Sequence, residues 1–127
     1  MFQGKNKALT FSFDDGVTQD IRLIELFNKY GLKCTFNLNS ELLGKKGMLP
    51  RVGQRISHYK IHPEDVMRVY EGHEVAVHTL HHPFLDQLPP ALAAEEILGD
   101  PDAGEINPAC HPLGVDIISV RQILFPR

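Results

Sequence analysis

The chain has 127 residues, enough for one domain with a modest core and too few for two. Its 43% hydrophobic and 23% charged residues are an ordinary globular composition, so neither a disordered nor a fibrous chain is expected. A net charge of -3 gives no electrostatic ground for a nucleic-acid or anionic-membrane partner, and no apolar run approaches the roughly 20 residues of a membrane helix.

The first seven residues, Met1 to Lys7, are basic without a signal-like apolar stretch behind them, which predicts a cytoplasmic location. Cys34 and Cys110 lie far apart and form no C-x-x-C pattern, so both are read as reduced thiols.

In chain order, Lys7 to Phe13 predicts a strand, with Leu9, Phe11 and Phe13 alternating toward one buried face. It ends abruptly in Asp14, Asp15 and Gly16. Thr18 is the expected N-cap of a helix over about Gln19 to Tyr30, with Ile21, Leu23, Ile24 and Phe27 at helical spacing and Gly31 as its stop. Leu32 to Leu38 predicts a second strand, so strand, helix and strand form one βαβ unit with parallel neighbours. Asn39 to Ile61 is polar and glycine-bearing and reads as a long excursion with a short helix near Ser40 to Leu43. Pro63 opens another helix running to about Tyr70. His73 to Val77 is a short third strand, and His78-Thr79-Leu80-His81-His82 follows it. Ala91 to Leu98 predicts a last helix. Beyond Gly99 the patterning degrades, and Val115 to Leu124 fits strand or helix equally.

Two features carry chemistry. Asp14 and Asp15 put two carboxylates at a strand end, where burial is tolerated only with a charge partner, a proton or a metal. A polar turn is the plain alternative. His78 and His82 are four residues apart, a spacing that on a helix places both imidazoles on one face, within reach of one ion. Two surface histidines are the plain alternative there. Taken together, two histidines and one carboxylate form a common divalent-metal triad that leaves positions open for water and substrate. The second carboxylate can then accept a proton from the metal-activated water.

These residues resemble a known family. Thr10 to Gly16, ending in Phe13-Asp14-Asp15-Gly16, is similar to the first motif of the polysaccharide deacetylases, the NodB-homology domain of carbohydrate esterase family 4. His78-Thr79-Leu80-His81-His82 resembles that family's H-[ST]-x-x-H motif, Gly72-His73-Glu74 its approach to that motif, and Lys33 to Asn37 its second strand. The resemblance covers about residues 7–98. It implies an α/β fold, a partial, distorted (β/α) barrel of the glycoside hydrolase/deacetylase type, incomplete at its C-terminal end. It implies a hydrolase removing acetyl groups from N- or O-acetylated sugars. Asp15, His78 and His82 would hold a divalent metal, zinc first, with cobalt, nickel or manganese as alternatives. Asp14 would be the catalytic base, and Thr79 would support the histidine loop. His81 matches a variable position and is expected outside the ligand set. His73 is expected to be structural, and His58 and His62 to be solvated.

Other family motifs are not visible. Arg121 does not stand in an R-x-P-[FY] pattern, and His111 does not stand in a Leu-x-His pattern. A full (β/α) barrel takes about 200 residues or more. The expected organisation is therefore residues 1–98 as the N-terminal part of a deacetylase domain and 99–127 as a poorly patterned tail, as in a truncated or frameshifted reading frame. A homo-oligomer is one way to complete such a barrel. Three functions follow in rank order: a metal-dependent deacetylase acting on an acetylated carbohydrate, a metal-binding homologue with little turnover, and another metallohydrolase such as a phosphoesterase.

Overall fold

The alternation of Phe11 and Phe13 becomes a short strand, β1 (Ser12–Asp14), in the computed structural model, which describes residues 9–99. The Phe11 ring meets Phe27 edge-on at 4.9 Å, and Phe13 stacks against Phe36 at 6.3 Å. The face is less buried than the alternation predicts. Leu9 is 79% exposed and Phe13 39%, and among the described residues β1 is an edge strand with a neighbour on one side only.

Helix α1 (Asp20–Lys29) buries Ile24 and Phe27, while Ile21 stays on the exposed side of the expected stripe. It ends as predicted. Gly31 takes φ 64°, Leu32 N–H donates to Phe27 O at 2.9 Å, and Gly31 N–H donates to Asn28 O at 3.2 Å, the paired bonds of a Schellman stop. The start differs from expectation. Thr18 does not cap the helix; instead Asp20, in its first turn, accepts from Val17 N–H at 3.2 Å.

Strand β2 (Thr35–Leu38) is central. It pairs in parallel with β1 on one side and with β5 (Glu74–Val77) on the other. Between β2 and β5 the chain forms a hairpin, β3 (Met48–Arg51) with β4 (Gln54–Ser57), then a 3-10 turn (Pro63–Asp65) that leads into the short helix α2 (Val66–Val69). The hairpin was not expected. Its residues are exposed almost throughout, so no alternation marks it in the sequence. After β5 come the histidine-bearing loop and α3 (Pro90–Leu98).

The core lies between the sheet and the helices α1 and α2. It gathers Ile24, Phe27, Cys34, Phe36, Leu38, Ile61, Val66, Val69 and Tyr70, with Phe36 wholly enclosed. The class is α/β, as expected. Among the described residues the parallel sheet ends at β1 and β5, and no closed barrel forms. None of the helices there is long and apolar enough to cross a membrane. Cys110, His111, Arg121 and the undecided stretch Val115 to Leu124 lie outside the described residues.

Candidate metal centre

Parallel pairing aligns Asp14 with Asn37, and both strands end at the same rim of the sheet. Asn37 is buried, and its Nδ2 donates to Asp14 Oδ1 at 2.7 Å and to Ser12 Oγ at 2.8 Å. Asp14 is therefore fixed on β1's polar face. One residue later the chain leaves the strand. Asp15 takes φ 83° and Gly16 φ 61°, both in the left-handed region. This turn takes Asp15 out of the strand's alternation, in which neighbouring residues point to opposite faces. Gly16 is needed twice over. Its φ disfavours any side chain, and a Cβ there would stand 2.7 Å from Leu38 Cδ2.

Asp20 supports the turn from beneath. Its Oδ2 accepts from Val17 N–H and, at 2.8 Å, from the Tyr70 hydroxyl. Burial is the main influence on this carboxyl and pushes its pKa up to about 6; the hydrogen bond from Tyr70 opposes the rise. Burial, with Asp20 beside it, raises the Tyr70 hydroxyl as well.

The histidines come from the end of β5. His78 N–H donates to Leu38 O at 2.8 Å, which extends the β2 pairing by one residue. The chain then turns sharply, with Thr79 at φ 66° and His82 at φ 58°. Thr79 Oγ1 accepts from His82 N–H at 3.0 Å, the loop support that the resemblance implied for this threonine. The two imidazoles are thus brought together by a loop with left-handed residues after the strand, and not by helical spacing. Their ring centroids lie 4.9 Å apart.

Asp15, His78 and His82 each offer one ligand atom, all within 4.8 Å of one another, and His82 Nε2 lies 3.4 Å from Asp15 Oδ1. Two metal–ligand bonds of about 2 Å span roughly 4 Å, so a small closure suffices for one ion. Burial is the main cause that lowers the His78 pKa, opposed by Asp14 and Asp15. The shift favours the neutral imidazole, the form that ligates. One carboxylate and two imidazoles suit a first-row divalent ion with open positions, so this donor set fits the metal.

Two groups beside Asp15 were not expected. His58 Nε2 lies 3.5 Å from Asp15 Oδ2, and Lys60 Nζ lies 3.4 Å from Asp15 Oδ1. Both come from the polar excursion. Its last residues lie along the aspartate turn: Thr18 N–H donates to Tyr59 O and Ile61 N–H to Gly16 O, each at 2.8 Å. His58 is therefore not the solvated histidine its context suggested. The weak signal for Lys60 was a lone cation between the apolar Tyr59 and Ile61.

Among the described residues, the remaining histidines stand apart from the site. His81 pairs with Glu96 of α3, Nδ1 to Oε1 at 2.9 Å, while its N–H donates to Oε2 at 3.0 Å. His73 packs edge-on against Phe27 and Phe36, a structural position as expected. His62 is exposed near Glu64.

The sequence model described as polysaccharide deacetylase matches residues 3–105. The chain belongs to the polysaccharide deacetylase family. Neither a curated relative nor a solved structure matched it. Deacetylases of this kind generally use a divalent metal, and the Asp15, His78 and His82 cluster is the candidate for it among the described residues. Family membership makes the chain one of a group of hydrolases that act on acetylated carbohydrates.

Proposed function

We propose that this chain is a metal-dependent carbohydrate deacetylase, with Asp15, His78 and His82 as metal ligands and Asp14 as the general base. The observation that carries the reading is the convergence of one carboxylate and two imidazoles within 4.8 Å, with a second, oriented carboxylate adjacent in sequence. Zinc is the first choice of ion, with cobalt, nickel and manganese as alternatives. The three parallel strands β1, β2 and β5 are read as the opening strands of a distorted (β/α) barrel, whose functional groups gather at strand C-terminal ends.

A bound divalent ion would supply Lewis acidity, making a water easier to deprotonate and an acetyl carbonyl easier to attack. The protein's own groups do the rest. Asn37 holds one Asp14 oxygen, which fixes the carboxylate and leaves the other oxygen to accept the water's proton. Thr79 fixes the turn that orients His82. The β2 carbonyl of Leu38 anchors His78 at the same rim. His82 is half exposed, and an acetylated sugar would approach from its side of the rim.

The test is a metal-supplemented assay on an acetylated oligosaccharide and on an aryl acetate. Metal-dependent acetate release that Asp14→Asn removes, with metal still bound, supports the reading. Stoichiometric metal with turnover no faster than buffer would reduce the chain to a metal-binding homologue. Phosphoester cleavage without acetate release would make it a different metallohydrolase.

A further inference from the structure

Asn39 and Lys60 are two polar side chains sealed inside the protein, 1% and 6% exposed, and the metal-site reading gives neither a task. A lysine is rarely buried so fully unless its charge is matched. Here the ammonium donates to the backbone carbonyl of Asp15 at 2.6 Å, lies 3.4 Å from Asp15 Oδ1, and donates to Asn39 Oδ1 at 3.4 Å. Asn39 continues the chain of contacts. Its Nδ2 donates to the backbone carbonyl of His78, and to that of Thr79 at 3.3 Å. The two side chains therefore bridge the aspartate turn to the histidine loop. Asp15, Thr79 and His82, at the two ends of this bridge, are the non-glycine residues with left-handed backbone among those described. Such conformations cost on the order of 1–3 kcal/mol each where bulk disfavours them, and persist where surrounding contacts over-determine them.

We propose that Lys60 and Asn39 act as positioning residues, a buried bracket that holds Asp15 and His78 at ligating distance and makes the excursion over residues 39–61 a working part of the metal site. The inference rests on Asp15, His78 and His82 being the ligands. It also makes a counter-intuitive claim. Lys60 is a cation beside a cation site, so Coulomb repulsion alone says that its removal should tighten metal binding. A bracket says the reverse, since groups that orient ligands typically contribute about 10–100-fold in metal affinity. The geometry favours the bracket: the shortest Lys60 contact is to the Asp15 main chain, and the carboxylate contact is longer.

The test is titration of the metal-free full chain with Co2+, followed by the visible absorption of the bound ion. Lys60→Met keeps the buried stem and removes the charge. Asn39→Asp keeps an acceptor for Lys60 and removes the donor to the histidine loop. Each variant should bind Co2+ at least tenfold more weakly, with an altered absorption band, while circular dichroism shows a retained fold. Wild-type or tighter binding by both variants would overturn the bracket. A second measurement needs no variant. Zn2+ should slow hydrogen exchange at residues 58–61 together with 78–82, leaving 48–57 unchanged; protection of 78–82 alone would also overturn it. Asp15→Ala, run in parallel, separates the two failures. If it binds Co2+ like wild type, the ligand assignment is wrong and the bracket falls with it. If it loses Co2+ while the other two variants keep theirs, only the bracket is wrong.

Discussion

The parallel sheet with its helices and the hairpin excursion between β2 and β5 are built by different rules. The sheet half is patterned and enclosed: Phe36 lies fully buried among Ile24, Phe27, Leu38 and Tyr70. The excursion carries its β3–β4 hairpin in water, with Val52 fully exposed at the tip. Yet both reach the same carboxylate. The sheet half brings Asp15 and His78 to one rim, and the excursion returns along the aspartate turn to add His58 and Lys60. Hydrophobic patterning thus reports which segments bury apolar area, and it is silent about segments that reach a site through backbone pairing and one or two polar side chains.

That contrast can be broken most sharply at the proposed ligands. Replacing His78 or His82 with alanine should abolish stoichiometric metal binding at micromolar ion, as a titration would show, while the fold persists. Asp14→Asn should leave metal bound and lower acetate release by about 10²–10⁴-fold, the usual worth of a positioned general base. Loss of metal from that variant would mean that the two aspartates have exchanged roles.

The next prediction concerns stability. Phe36→Ala should cost about 3–5 kcal/mol, since it empties the centre of the core, whereas Val52→Ser at the hairpin tip should change stability by less than about 0.5 kcal/mol. Urea unfolding of both variants checks this; similar losses would mean that the hairpin is as integral to the core as the sheet.

A smaller effect belongs to Asp20, which touches both the helix start and the aspartate turn. Its folded pKa of about 6 stands above the ordinary 3.8. Between those values the folded state binds more protons than the unfolded state. The contribution is therefore full below about pH 4 and lost as the pH rises through about 6. Asp20→Asn should remove on the order of 2–3 kcal/mol of this pH dependence, because each pKa unit is about 1.4 kcal/mol. Unfolding of the metal-free variant and wild type at pH 4.5 and 7 would show whether the two slopes differ.

Much of the candidate site was legible because its residues carry charge where packing has no use for it. Asp14-Asp15-Gly16 follows an apolar alternation, and His78 and His82 follow a strand. The route that joins the histidines was not legible. Thr79 and His82 adopt left-handed backbone without glycine, and nothing in a threonine or histidine announces it. Lys60 was hidden for another reason: it meets Asp15 across 45 residues of chain, a distance that only the folded backbone closes. In the fold, the central strand and α1 with its glycine stop were readable from period and punctuation. The β3–β4 hairpin was not, since a strand exposed on both faces has no period to read.

The pairing of His81 with Glu96 has a consequence for how the protein comes to be made. Glu96 also accepts from the Leu80 N–H through its main-chain carbonyl, so three bonds from α3 hold the histidine loop. A chain emerging from the ribosome can pair β1, β2 and β5 before α3 exists outside the tunnel. Its histidine loop gains those three bonds only once residue 96 has followed. The strands of the sheet are thus synthesised before the helix that steadies the histidine loop.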